Sequence, residues 1–222
     1  KLDNLRLVAV MNPINALQFF VDAKTGAKSI QDIKDKKIPL RITVNRQGTL
    51  IDVATEELLK TYGITYSDIA KWGGKVHKIP GPEATDLWDA GQMDAIVEVS
   101  QFPTSRFYEL GQKHDLIMLP IDPANQEKLN KELGTSSLTI PAGTYSFQKE
   151  DCPTVSSQLL LITSADQPDE VITGVLKAMT ANIDYLHSGH AILRDLSPEA
   201  MSANTSIRMH PAAEKFFREL KK

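Results

Sequence analysis

The sequence predicts an α/β protein, because strand-like and helix-like patterns alternate along its central part. Between residues 36 and 133, four apolar strand patterns are each followed by a helical pattern. Such an alternation is typical of a mixed, mostly parallel sheet with helices on both faces. The length of 222 residues suits one large domain or two smaller lobes, and no linker rich in proline, glycine or serine separates them.

Composition narrows the possible classes of partner. The formal net charge is −3 and aromatic residues make up 6 %, without a run of Lys and Arg, so nucleic acid is a poor candidate. The apolar runs are too short to insert into a membrane. A single cysteine, Cys152, excludes an internal disulfide and a multi-cysteine metal site. The opening KLDNLRLVAV has neither methionine nor a secretory pattern, so we expect a processed or cut piece.

The segment 36–59 gives the clearest strand–loop–helix pattern. Apolar residues alternate over 38–44, as in a strand, and Gly48 and Thr49 then open a helix with one apolar stripe. Gly63 suits the left-handed position after that helix. The loop 45–49 would present free backbone N–H groups at a helix start, and Arg46 would add a fork of donors. This loop is therefore predicted to hold a carboxylate or another anion.

The other elements follow from similar patterns. Two apolar pieces around Asn12 and Pro13 predict strand, turn and strand over 5–23, and Ser67 and Asp68 are possible helix caps. The stretch after Gly134 is predicted to be rich in turns. Further strands are predicted over 75–79, 94–99, 114–121 and 158–164, and helices over 29–34, 81–88, 102–111, 123–133, 166–186 and 211–220. The helix starting near 166 has a predicted buried stripe: Val171, Ile172, Val175, Leu176, Met179, Ile183 and Leu186.

Three loops are expected to lie together in this arrangement. The carboxyl ends of parallel strands meet at one edge of a sheet, beside the starts of the following helices, and ligands bind there. The loops are 45–49, 80–83 and 100–104.

Five short motifs, in the same order, resemble the TAXI-type solute-binding proteins of TRAP transporters. The segment 28–38 is similar to the stretch Lys-Ser-Ile-x-Asp-Leu-x-Gly-Lys-x-Val that precedes the second lobe in that family. Asp94-Ala95 with Pro103, the run Ile140 to Tyr145, and the run His210 to Ala213 resemble three further motifs. Arg46-Gln47-Gly48-Thr49 lies where the family has Gly-Ser-Gly-Thr, so this protein departs from the family at Arg46 and Gln47, and again at Ala212, where the family has glycine.

The resemblance implies a type II periplasmic-binding fold of two lobes, each with a mostly parallel mixed sheet. The first lobe would be incomplete, because about 90 residues of the family, one small domain, have no counterpart here. The implied division is a remnant of the first lobe at 1–18, a second lobe at 19–165 with its βαβ core at 36–133, and returning helices and hinge at 166–222.

The function implied is that of an extracytoplasmic receptor, in the periplasm, without a cofactor or a metal. It would capture a small anionic solute, such as a glutamate-like amino acid or a dicarboxylate, for membrane subunits of a TRAP-type transporter. The alternatives are a two-lobed enzyme of the transferase or synthase type, and a non-transport antigen or sensor that kept the fold.

The candidate ligand-binding residues come from the loops and from the motifs. Several of them also have a structural interpretation: Arg46 and Gln47 could be a solvated loop, Gly48 could only form the turn, Thr49 could cap the helix, and Phe102 could belong to the core. Tyr145 either lines the cleft or packs with its hydroxyl satisfied. The full set is Arg46, Gln47, Gly48, Thr49, Ser100, Gln101, Phe102, Pro103 and Tyr145.

Residues that would support catalysis or metal binding are weaker candidates. His187 and His190 have a spacing of three, but Gly189 interrupts the helix between them and no third ligand is evident. His210 is expected beside a helix start. Cys152 precedes a proline without a nearby base, and Glu98 lies within a strand, so a nucleophile or a general base is not predicted at either position.

Overall fold

The computed structural model describes residues 3–203 and 207–220, and it divides the chain into two compact units. Unit 1 comprises Lys1–Asn15 and Gln158–Lys222, and unit 2 comprises Ala16–Ser157. In the described residues, no helix is long and apolar enough to cross a membrane.

Strands and helices alternate over most of unit 2, which confirms the α/β class. The strands are β1 Leu5–Asp22, β2 Arg41–Thr43, β3 Lys75–His77, β4 Ala95–Ser100, β5 Leu116–Met118, β6 Ser136–Ile140 and β7 Cys152–Ser164. The helices are α1 Ile30–Asp35, α2 Leu50–Thr61, α3 Tyr66–Lys71, α4 Gly81–Asp89, α5 Ser105–Lys113, α6 Pro123–Leu133, α7 Asp169–Ala181, α8 Ile183–Gly189, α9 Pro198–Met201 and α10 Pro211–Leu220.

The sheet is mixed, as predicted, with the order β3-β2-β4-β1-β7-β6 and with β5 also paired to β1. Strand β2 is parallel to both β3 and β4. Strand β1 is antiparallel to β4 and β5, and β6 is antiparallel to β7. We expected mostly parallel pairing. Among the strand pairs given above, only those of β2 with β3 and with β4 are parallel, because β1 runs in the opposite direction beside β4.

Two apolar clusters cover the two faces of the unit 2 sheet. Side chains alternate along β1: Phe19 belongs to the first cluster and Phe20 to the second. Helices α1, α2, α3 and α6 contribute to the first cluster, so they lie on what we call the first face. Helices α4 and α5 contribute to the second cluster and lie on the second face. Because successive strand residues point to opposite faces, both faces of the sheet carry apolar side chains, and helices pack against each face.

Unit 1 has its own apolar cluster, formed where β1, α7, α9 and α10 meet. Ile172 and Leu176 of α7 are buried in it, whereas Val171 is 41 % exposed and Val175 39 % exposed. The predicted stripe was therefore too wide, because only one side of α7 packs on the cluster. The predicted single helix is also divided at Asn182, between α7 and α8.

Three further sequence predictions were wrong in detail. β1 is one continuous strand through Pro13, which lies outside its ladder with β4, so that ladder needs no N–H from Pro13. The turn-rich stretch contains β6, and β7 begins at Cys152 rather than at 158. The cap of α3 is Thr65, with Asp68 completing a capping box.

Candidate functional site

The predicted loops follow three parallel neighbouring strands, so they start from one edge of the sheet in unit 2. β2 leads to α2 on the first face, while β3 and β4 lead to α4 and α5 on the second face. Neighbouring strands whose following helices lie on opposite faces form a topological switch point, and open α/β sheets commonly bind ligands between the loops at such a point. This geometry makes the loops after β2 and β4 the candidate site.

The loop after β2 is held by its own hydrogen bonds. Gly48 adopts a φ of 75°, which favours glycine, and Asn45 a φ of 62°. The hydroxyl of Thr49 donates to the Arg46 carbonyl at 2.8 Å and accepts from the Asp52 N–H at 3.4 Å. Thr49 is therefore the N-cap of α2, and Gly48 forms the turn that precedes it.

Asp52 brings a carboxylate into this helix start. The residue is 4 % exposed, and its Oδ2 accepts from the Gly48 N–H at 2.9 Å and from Lys78 Nζ at 3.1 Å. The Tyr66 hydroxyl donates to Oδ1 at 3.1 Å. Burial alone would raise the pKa of Asp52, but the hydrogen bonds from Gly48, Lys78 and Tyr66 outweigh it and lower that pKa.

Asp52 changes which donors this loop can offer. The Gly48 N–H is already used, and within the described chain the N–H groups of Leu50 and Ile51 have no hydrogen-bond acceptor. Arg46 and Gln47 are exposed, and the Arg46 guanidinium has no ion pair or hydrogen bond with any described residue. Arg46 is therefore the charge in this loop that remains available to a solute.

The loop after β4 combines exposed and buried parts. Pro103 is exposed, Gln101 is half-buried, and Phe102 packs partly against the second-face cluster. The hydroxyl of Ser100 accepts from Gln18 Nε2 at 3.2 Å and donates to the Gln101 carbonyl at 3.1 Å. Ser100 is thus tied to β1, while Gln101 and Pro103 retain solvent-accessible surface.

Tyr145 lies inside the second-face cluster. It is fully buried, and its ring stacks on Phe147 with the centroids 5.3 Å apart. Its hydroxyl donates to Gln18 Oε1 at 2.6 Å and accepts from the Thr104 N–H at 3.2 Å. Burial raises the pKa of this phenol. Tyr145 therefore contacts the loop after β4 from the core, and its hydroxyl both donates and accepts a hydrogen bond.

Two charged pairs border the same loops and were not among the predicted site residues. Lys78, after β3, pairs with Asp52, and Arg106 in the first turn of α5 pairs with Glu98 of β4. Arg106 lies against Gly81, where a Cβ would clash with its guanidinium. Glu98 thus serves as the ion-pair partner of Arg106.

Some of these residues left a signal in the sequence. Thr49 and Asp52 have the spacing of a capping box, and Gln18 interrupts an otherwise apolar strand. A buried amide in such a strand requires partners, but the sequence does not say which ones. Arg106 left no comparable signal, because its partners come from β4 and α4.

The histidines and the cysteine have local structural roles. His187 Nε2 lies 2.7 Å from the Leu196 carbonyl, and His190 Nδ1 accepts from the Ile192 N–H. In the described part of the chain, no group of three or more potential metal ligands occurs. Burial raises the pKa of the Cys152 thiol to about 12, so it is protonated and a poor nucleophile at neutral pH.

Comparison with solved structures finds similar proteins at low identity. A putative periplasmic sulfonate-binding protein SsuA from Methylobacillus flagellatus is 13 % identical, with a TM-score of 0.47 over 90 % of this chain and 48 % of that one. The alkanesulfonate-binding protein SsuA from Xanthomonas axonopodis pv. citri, bound to MOPS, is 12 % identical, with a TM-score of 0.41 over 97 % and 59 %. The aliphatic sulphonate-binding protein SsuA from Escherichia coli is 13 % identical, with a TM-score of 0.44 over 97 % and 59 %.

The chain thus spans about half of the length of these solved proteins. A comparison with family models gives a match over residues 1–220, nearly the whole sequence. On that match, the protein belongs to the NMT1-like family.

Proposed function

We propose that the protein is a solute-binding receptor that holds a small organic anion in the crevice between the loops after β2 and β4. The observation that carries this proposal is the topological switch point itself, where α2 leaves toward one face and α5 toward the other. A crevice of this kind lies beside two helix starts, which favour negative charge.

The charges around the crevice favour a compact anionic group. Lys78 and Arg106 form ion pairs with Asp52 and Glu98, whereas Arg46 has no ion-pair partner among the described residues and supplies a free positive charge. Its guanidinium can bind a carboxylate or a sulfonate through two parallel hydrogen bonds. The N–H groups of Leu50 and Ile51 can donate to the same anion.

The finer assignment rests on the five motifs that resemble the TAXI-type family. It comprises a glutamate-like or dicarboxylate solute, delivery to TRAP-type membrane subunits, an extracytoplasmic location and a type II periplasmic-binding fold. The lobe boundaries after residues 18 and 165 belong to the same proposal. Binding would favour a closed arrangement through a hinge, because the solute makes more contacts in that state.

A thermal-shift screen tests the proposal directly. The panel contains L-glutamate, 2-oxoglutarate, succinate and ethanesulfonate, which differ in the number and type of anionic groups. A ligand at 100 times its Kd should stabilise the protein by about 2.7 kcal/mol. We expect at least one of these anions to raise the melting temperature, and an unchanged temperature with all four contradicts the proposal. Turnover of any bound compound would favour the enzyme alternative.

The contribution of Arg46 is tested by Arg46→Ala. A charge-assisted hydrogen bond contributes about 1.5–3 kcal/mol, so the Kd of the stabilising anion should rise at least about 10-fold. Arg218→Ala is the matched control, because Arg218 is an exposed arginine on α10. Equal affinities of the two variants would exclude Arg46 from the site.

A further inference from the structure

The loop after β4 is connected to the interior of unit 2 by a continuous set of hydrogen bonds. Gln18 of β1 is 0 % exposed, and its amide bonds the Ser100 hydroxyl on one side and the Tyr145 hydroxyl on the other, at 3.2 and 2.6 Å. The Tyr145 hydroxyl in turn accepts from the Thr104 N–H at 3.2 Å. One end of the segment 100–104 is therefore bonded to Gln18 and the other end to Tyr145, and these two buried side chains are bonded to each other.

We infer that Gln18 and Tyr145 are positioning residues of the solute site: they set the conformation of the segment 100–104 without touching the solute. The inference rests on the proposed function of that segment. Below, the hydrogen bonds among Ser100, Gln18, Tyr145 and Thr104 are called the relay.

The hydrogen bonds of the relay have a consistent set of donors and acceptors. The Tyr145 hydroxyl accepts the Thr104 N–H and donates to Gln18 Oε1, and the same Gln18 amide presents Nε2 to Ser100. The Ser100 hydroxyl accepts that N–H and donates its own hydrogen bond to the Gln101 carbonyl. Each of these hydrogen bonds has one donor and one acceptor. If donor and acceptor exchanged in one of them, the next bond in the relay would lose its donor or its acceptor.

The rest of the environment supports positioning rather than contact. Tyr145 packs edge-on against Phe20 with centroids 5.7 Å apart, and it stacks on Phe147, so its ring cannot rotate toward the loop surface without breaking the core. Gln18 lies on the same side of β1 as Phe20, beneath the segment. Pro103 is exposed and Gln101 is half-buried, so the segment itself keeps solvent-accessible surface.

The test compares two substitutions that delete the same chemical group. Tyr145→Phe removes a buried hydroxyl that accepts the Thr104 N–H, while Tyr62→Phe removes one that accepts the Asp122 N–H at 3.1 Å. Tyr62 is 5 % exposed and belongs to the first-face cluster, at the end of α2 far along the chain from the relay. The pair therefore controls for loss of a buried hydroxyl as such.

Two measurements are made on the full chain. The first is amide hydrogen exchange, followed in peptides covering 98–107 and 44–53. The second is titration with 2-oxoglutarate and ethanesulfonate, at a temperature where all variants are folded. We expect Tyr145→Phe to speed amide exchange in 98–107 but not in 44–53. We also expect it to raise the Kd of the bound probe at least 10-fold. Tyr62→Phe should change neither quantity.

A second variant, Gln18→Met, keeps the volume of the side chain and removes both of its hydrogen bonds. Residues of one network act as a unit, so the double variant with Tyr145→Phe should bind about as weakly as either single variant, not 100-fold more weakly than the wild type. Unchanged exchange in 98–107, or equal effects of Tyr145→Phe and Tyr62→Phe on affinity, overturns the inference and leaves the proposed function standing. A wild-type chain that binds neither probe overturns the proposed function and, with it, the role of the relay in binding.

Discussion

Asp52 shows how one residue changes the chemistry of a helix start. A free helix N-terminus attracts an anion, but here a side chain of the same helix already supplies one, at 2.9 Å from the Gly48 N–H. Lys78 and Tyr66 complete its hydrogen bonds, so the carboxylate is stabilised in its charged form. The anion-binding capacity of the loop therefore depends on Arg46 and on the donors that Asp52 leaves unused.

The depressed pKa of Asp52 leads to a prediction about stability and pH. A carboxyl whose folded-state pKa lies below its unfolded value stabilises the fold above the unfolded value, near 3.8, and loses that contribution as pH falls through the folded value. Asp52→Asn should cost about 2 kcal/mol at pH 7, the size expected for charge-assisted hydrogen bonds. The difference from the wild type should narrow below pH 4, as measured by urea unfolding at pH 7, 5 and 3.5.

Asp68→Asn is the control for that measurement. Asp68 occupies the equivalent position in the capping box of α3, but its side chain is 31 % exposed, and its ion pair with Lys71 spans 3.5 Å. Solvent screens such a pair, so its loss at pH 7 should be smaller. A difference between Asp52→Asn and the wild type that persists unchanged at pH 3.5 would argue against the proposed charge state of Asp52.

At the scale of elements, helix starts decide much of the local structure. α2 and α3 begin with a threonine whose side chain caps the helix, as is common. α10 begins differently: the residue before it is His210, whose Nδ1 accepts the Ala212 N–H at 3.2 Å. Its Nε2 lies 3.1 Å from the Gln167 carbonyl, so one imidazole both caps α10 and holds the segment before α7.

His210→Ala should therefore lower the free energy of unfolding by about 1–2 kcal/mol, because a helix cap and a buried hydrogen bond are both lost. His210→Asn should retain part of this stability, since its amide oxygen can still accept the Ala212 N–H. Chemical denaturation at pH 7.5 followed by circular dichroism measures both variants. Equal losses for alanine and asparagine would show that the cap contributes nothing.

The chain divides into two units, and their apolar clusters are separate: one in unit 1 and two in unit 2. Both tryptophans, Trp72 and Trp88, belong to unit 2, so tryptophan fluorescence reports on unit 2 only. Far-ultraviolet circular dichroism reports on helices of both units, including α7 and α10. The two signals therefore separate the unfolding of one unit from that of the whole chain.

Two core substitutions test whether the two units unfold separately. Leu176→Ala in the unit 1 cluster and Leu58→Ala in the first-face cluster each remove a side chain that is 0 % exposed, at a cost of about 3 kcal/mol. In urea, Leu176→Ala should shift the circular dichroism transition and leave the fluorescence midpoint nearly unchanged, whereas Leu58→Ala should shift the fluorescence midpoint. If both variants move both signals equally, the units do not unfold separately.

The sequence by itself determined the features that depend on neighbouring residues. The bounds of α10 and the left-handed Gly63 were predicted, and the cap of α2 at Thr49 was one of two alternatives, because the hydrogen bonds of these features span only a few positions. The α/β class and the three loops followed from the same local periodicity. The ligand-binding role of the nine predicted residues stays a prediction.

Only the tertiary structure decided which distant residues meet. The antiparallel entry of β1 beside β4, the opposite faces taken by α2 and α5, and the burial of Tyr145 each depend on partners far apart in the chain. Gln18 bonds residues 82 and 127 positions away, and Asp52 bonds Lys78, 26 positions away. Local periodicity specifies a helix or a strand, but many pairings of such elements satisfy the same pattern, and the packing of the whole core selects one of them.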